Sequence, residues 1–128
     1  MYEIYLPVPP TVNNYYVKTK RGVFISQKGR KFRAEVEEAV NEQLPGVYID
    51  DKMLVEVVFY FPDKRKRDLG NYDKALMDAL TECGLWEDDS LIDQQFFYRG
   101  ELHKGGLVFL RISEAGPLLR VDQRLPED

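Results

Sequence analysis

"KMLVEVVFYFPDKRKRDLGNYDKALMDAL", Lys52–Leu80, contains one pattern change that sets the fold class. Its first half, Lys52–Phe61, is dominated by Val, Phe and Tyr, the residues that favour a pleated surface. Apolar side chains fall on both faces, which predicts a central strand. Pro62 closes it. The second half changes period. Ala75, Leu76, Ala79 and Leu80 recur at helical spacing, predicting a helix over about Asn71–Cys83, with Gly84 just past its end. Between the two lies a run of four bases, Lys64, Arg65, Lys66 and Arg67, set directly against Asp68.

Outward from this unit, "EIYLPV" predicts a strand at Tyr2–Leu6, ended by two prolines. "TVNN" reads as a turn. Tyr15–Lys18 and Val23–Ile25 read as a hairpin around Lys20-Arg21-Gly22. Ser26 is a helix N-cap, and Phe32, Val36, Val40 and Leu44 make one apolar stripe of a helix reaching Gln43. Gly29 in its first turn is a weak helix former. Leu91–Arg99 and Leu107–Ser113 predict two more strands. The expected fold class is mixed α/β (α+β): one domain, a mixed β-sheet and two main helices, in the order β-hairpin-α-β-α-β-β. The domain is expected over residues 1–113, with a C-terminal tail at 114–128.

The composition narrows the chemistry. A chain of 128 residues with 44% hydrophobic side chains can build one core without staples. One cysteine, Cys83, excludes an intrachain disulfide and fits a reducing compartment. One cysteine and one histidine, His103, exclude a Cys/His zinc site. There is no G-x-S-x-G elbow and no dinucleotide or phosphate-loop glycine pattern. No stretch has the length of a membrane span, and the N-terminus lacks a signal-peptide pattern. The expectation is an intracellular, cytoplasmic protein with no membrane partner.

The net charge of −4 disfavours a polyanion partner, but its distribution does not. Lys18–Arg33 holds seven basic residues and no acid, and Lys64–Arg67 adds four, so eleven of the 18 bases lie in two blocks. Local field decides binding to a polyanion. The candidate nucleic-acid contacts are Lys18, Lys20, Arg21, Lys28, Arg30, Lys31, Lys64, Arg65, Lys66 and Arg67. Solvated loops give the same composition.

The remaining chemistry belongs to carboxylates. Asp68 precedes the second helix, and Asp88 and Asp89 follow it. Carboxylates without His or Cys suit a hard cation such as Mg²⁺. Lys74 could neutralise charge at a phosphoryl group. Asp68 could equally be a helix cap, and Asp88-Asp89 a polar turn. A helix of about 14 residues spans about 20 Å, so Asp68 and Asp89 meet only if a chain segment folds back along it.

These stretches resemble the RusA family of Holliday-junction resolvases. The resemblance covers about Tyr5–Ile112: "LPVPPTVNNYY", "SQKGRKFRAEV", "PDKRKRDLGNYDKALMDALTECGLWEDDSLI" and "KGGLVFLRI". It implies a homodimer that binds four-way DNA junctions and cleaves them symmetrically with Mg²⁺, in recombination and repair on nucleoid-associated DNA. Carried over by position, it implies Asp68, Lys74 and Asp89 as catalytic residues, Asp68, Asp88 and Asp89 as metal ligands, and Asn71 as the motif asparagine. One position departs. "RDLGN" has Gly70 where the family has a second aspartate. Either cleavage is impaired, or Asp73 or Asp88 supplies the missing ligand. Two other classes stay open: a junction-binding protein that does not cut, and a small structural domain with solvated basic loops.

Overall fold

The computed structural model describes residues 1–117. Most of the tail expected at 114–128 lies outside them. Strands β1 (Tyr2–Leu6), β4 (Met53–Tyr60), β5 (Ile92–Arg99) and β6 (Leu107–Glu114) form one sheet in the order β1-β6-β4-β5. β4 is internal, as its apolar content predicts. β1 pairs with β6, and β6 with β4, in antiparallel register. β4 and β5 are parallel, so the chain between them must cross over. Helix α3 (Asp73–Glu82) makes that crossover, and this is what places the acids at either end of α3 next to β5. The fold is the mixed α+β class expected.

One face of the sheet is dry. Val55, Val57 and Phe59 of β4 and Val108 and Leu110 of β6 have no exposed surface. Each such burial contributes roughly 1.5–3 kcal/mol relative to exposure. Against this face lie α3 and the long helix α2 (Gln27–Gln43), whose buried Phe32, Val36 and Val40 are the predicted stripe. The opposite face carries Tyr5, Phe96 and Tyr98, each about half exposed.

The hairpin forms a separate two-stranded sheet, β2 (Tyr16–Thr19) and β3 (Gly22–Ile25). Three local expectations are corrected. "TVNN" is not a plain turn: Val12–Tyr15 form a short helix, α1, which buries Tyr15 completely. The helix expected from Asn71 begins at Asp73, because Leu69–Asn71 form a tighter 3-10 turn capped by Asp68. Gly29 is required where it stands. A Cβ there would lie 2.6 Å from the Tyr15 carbonyl oxygen and 2.7 Å from Ile25 Cγ2. Ser26 caps α2 by accepting from the Gly29 amide at 3.0 Å, and its own amide donates to the Tyr15 carbonyl at 2.9 Å. The hairpin base is thereby clamped to α2. Gly29→Ala is expected to lower stability by about 1–3 kcal/mol through overpacking, read as a shift of the urea midpoint at unchanged m-value.

Candidate active site and nucleic-acid interface

Sheet topology brings Asp89 back to α3. After the helix, Gly84 takes the left-handed conformation at φ 82° and turns the chain. Trp86 is buried and donates its indole N–H to Thr81 Oγ1 at 2.7 Å. Asp89 then opens a 3-10 turn ahead of β5. Asp73, Lys74, Met77, Asp78, Asp89, Ile92 and Gln95 line a cleft of about 320 Å³ between α3 and the start of β5. The segment after the helix does fold back along it, and the acid it meets is Asp73.

Asp73 is half-buried, and burial pushes its carboxyl up, reinforced by the charges of Asp78 and Asp89. Gln95 Nε2 donates to its Oδ1 at 3.4 Å. Asp78 Oδ2 accepts from Lys74 Nζ at 3.1 Å and from the Tyr16 hydroxyl. Lys74 Nζ also sits 5.4 Å from the centre of the Tyr16 ring.

Asp68 and Asp88 do not line this cleft. Both cap turns. Asp68 Oδ1 accepts from the Gly70 amide at 3.2 Å, and Asp88 Oδ2 from the Ser90 amide at 3.2 Å. Hydrogen bonds from Ser90 hold the Asp88 carboxyl below the usual range. Gly70 has open space around it: a Cβ there would meet only Asp68 Oδ1, at 3.6 Å. A carboxylate at position 70 would therefore stand beside Asp68. Among the described residues, no three His, Cys, Asp or Glu side chains converge closely enough to enclose an ion.

The two basic blocks meet. Lys28 and Lys31 from α2 and Arg67 from the loop line one cleft of about 410 Å³, together with Thr11 and Asn14. On the other side of α1, Lys18 of the hairpin and Lys74 line a second cleft with Val12, Asn13, Tyr16 and Val23. Lys20, Arg21, Arg30, Lys64, Arg65 and Lys66 are exposed. Arg67 differs. Its side chain is 14% exposed, it donates to Asp63 Oδ1 at 2.8 Å, and its guanidinium lies 5.0 Å from the centre of the Phe61 ring. Part of its charge is committed inside the fold.

A family model described as "Endodeoxyribonuclease RusA" matches residues 7–107. The chain belongs to the RusA family. It is 33% identical over 113 residues to the crossover junction endodeoxyribonuclease RusA of Enterobacteria phage HK97, covering 88% of this chain and 94% of that protein. The protein of the same name from Shigella sonnei strain Ss046 is 33% identical over 115 residues, covering 90% and 96%. That of Escherichia coli strain K12 is 32% identical over the same shares.

Within this RusA-family chain, the motif positions divide in space. Lys74 and Asp89 share the α3 cleft, while Asp68 and Asp88 cap turns outside it. Asp78 and Tyr16 were not identified as site residues from the sequence. "DAL" and "NNYY" were visible as motif text, but 62 residues separate the two partners. Their contact exists only after the hairpin packs on α3.

Tyr15 and Tyr16 both resist ionisation, chiefly through burial; for Tyr16 the Asp78 carboxylate adds to it. A tyrosine whose folded pKa is raised leaves stability intact below its unfolded pKa of 10.0 and removes it as pH rises above that value. In an alkaline titration followed at 295 nm, two of the eight tyrosines should therefore ionise late, together with unfolding. Eight tyrosines titrating together near pH 10 before unfolding would contradict the packing of this pair.

Proposed function

We propose that this chain is a Mg²⁺-dependent endonuclease that binds four-way DNA junctions and nicks them in pairs. The observation that carries this reading is the placement of Asp73, Asp89 and Lys74 in one cleft of a RusA-family fold, beside clefts lined by Lys18, Lys28, Lys31 and Arg67. The donor set suits the ion. It is all carboxylate; burial raises Asp73 first and the neighbouring charges of Asp78 and Asp89 add to it, and a hard cation offsets that repulsion. Mg²⁺ takes one or two protein carboxylates directly and keeps several waters, so two acids suffice to seat it.

Asp73 and Asp89 would hold the ion, with Asp73 in the role left vacant at Gly70. Asp68, at the end of the basic run, lies outside the cleft and caps the turn that leads into α3. Bound there, the ion would polarise a phosphoryl oxygen and lower the pKa of a water. Lys74 presents an ammonium to the charge that develops on the phosphorane or leaving oxygen. The exposed bases of the hairpin, α2 and Lys64–Lys66 hold flanking phosphates and set the register of the strand. The nuclease domain expected over residues 1–113 runs at least to Glu114, the last residue of β6.

Gly70 favours a second reading, a junction binder that does not cut, since a glycine brings no carboxylate to a position that stands beside Asp68. Incubating the chain with a four-way junction and a linear duplex in Mg²⁺, and mapping nicks on each strand, separates the two. Paired nicks on strands of like polarity, confined to the junction, are expected. Tight junction binding without nicks supports the binder, and equal weak binding to both DNAs contradicts both readings.

Paired cuts need two sites related by a two-fold axis, so the working form is a C₂ homodimer. Sedimentation with junction present is expected to show protein at twice the 15.0 kDa chain mass. A single chain on the junction would contradict this.

A further inference from the structure

We propose that Tyr16 and Asp78 are positioning residues that hold the Lys74 ammonium at the cleft and tie its placement to the basic hairpin. The inference rests on the role given to Lys74 above. Lys74 is 61% exposed on a four-carbon stem, and a lysine so placed samples many rotamers. Two contacts restrict it here, and a third joins the partners to each other. Asp78, one turn along α3, accepts from Nζ at 3.1 Å. The Tyr16 ring faces the ammonium at 5.4 Å. The Tyr16 hydroxyl binds the same Asp78 oxygen, so carboxylate and ring are locked to each other. An exposed lysine–aspartate pair alone holds little, because side-chain entropy and solvent oppose it. A carboxylate fixed by a third group is a pre-organised partner.

Tyr16 is itself held from behind. Its ring packs edge-on against Tyr15 at 4.7 Å between centroids, and the Tyr15 hydroxyl accepts from Arg33 Nε at 2.6 Å. Tyr16 is also the first residue of β2, which carries Lys18 and leads into the turn that carries Lys20 and Arg21. Lys18 and Lys74 line the same cleft with Tyr16 between the hairpin and α3. A phosphate gripped by Lys18 thus approaches Lys74 along one wall, and the hairpin's seating fixes where the ammonium points.

The test is a double-mutant cycle on the full chain. Single-turnover cleavage of a four-way junction in Mg²⁺ is measured for the unmodified protein, Tyr16→Phe, Lys74→Ala and the double variant, with junction Kd measured in Ca²⁺. Tyr16→Phe keeps the ring and removes the hydroxyl; it is expected to slow cleavage about tenfold with Kd within about twofold. On Lys74→Ala it is expected to add no further loss, because the residue it positions is gone. Asp78→Asn repeats the test from the other partner. In parallel, acetic anhydride labelling read by mass spectrometry is expected to acylate Lys74 faster in Tyr16→Phe, with Lys104 unchanged. Tyr16→Phe that cleaves and acylates like the unmodified protein, while Lys74→Ala loses cleavage, overturns the positioning role alone. Losses that multiply in the double variant also overturn it. Full cleavage by Lys74→Ala overturns the assignment of the lysine itself, and the positioning role with it.

Discussion

Asp73→Asn is expected to lower Mg²⁺-dependent cleavage of a four-way junction by on the order of 10²-fold or more, with junction affinity in Ca²⁺ within about threefold. The side chain is near-isosteric, and its amide oxygen can still accept from Gln95, so the fold should tolerate it. What is lost is charge. Asp73 is a half-buried member of the cleft, beside the charges of Asp78 and Asp89. Removing its charge leaves Asp89 as the sole ligand proposed within the cleft. Asp89→Asn is expected to have an effect of the same order. Asp88→Asn is the contrasting case, because that carboxylate is occupied by the Ser90 amide outside the cleft. It should cost cleavage no more than about threefold, together with part of a turn cap. Single-turnover rates and Kd for the three variants give the comparison. Loss of cleavage with Asp88→Asn but not with Asp73→Asn would move the ion out of the cleft.

The second large effect concerns binding. Substituting Lys64, Arg65 and Lys66 together by Ser is expected to weaken junction affinity about 10²-fold at low salt. The slope of log K against log salt should flatten by about 2–3, near 0.9 per lost phosphate contact. These three side chains are exposed, while Arg67 in the same run is paired with Asp63 and stacked on Phe61. Arg67→Ser should therefore reduce stability as well as affinity, and belongs in a separate variant. An unchanged slope in the triple variant would mean the loop does not touch phosphate.

Elements governed by local pattern are legible in the sequence. β4 follows from its Val/Phe/Tyr content, and α2 from the spacing of Phe32, Val36 and Val40 with Ser26 as cap. The end of α3 follows from Gly84. Features governed by packing are not legible there. Gly29 reads as a helix weakness, yet its missing side chain is what lets the Tyr15 carbonyl and Ile25 approach α2. α1 is one turn long and too short to show a period. The basic run looks uniform in sequence, but Asp63, four residues before Arg67, draws one of its members inward. In the candidate site, Lys74 and Asp89 follow from motif position, and both line the cleft. Spacing does not choose between Asp73 and Asp88, since both flank α3. What separates them is that Asp73 lines the cleft and Asp88 does not, and that is a property of the folded loop.

In the proposed site, Asp73 with Asp89 seats the ion despite the glycine at position 70. The decisive comparison is single-turnover cleavage of one four-way junction in Mg²⁺, by the unmodified chain and by Gly70→Asp side by side. Position 70 is exposed and free of clashes, so a carboxylate fits there without disturbing the fold. The unmodified chain is expected to cut the junction, and Gly70→Asp to change the rate by less than about threefold, because the site already holds its one or two direct carboxylates. An inert unmodified chain that gains Mg²⁺-dependent cleavage on Gly70→Asp would contradict this assignment of the ligands.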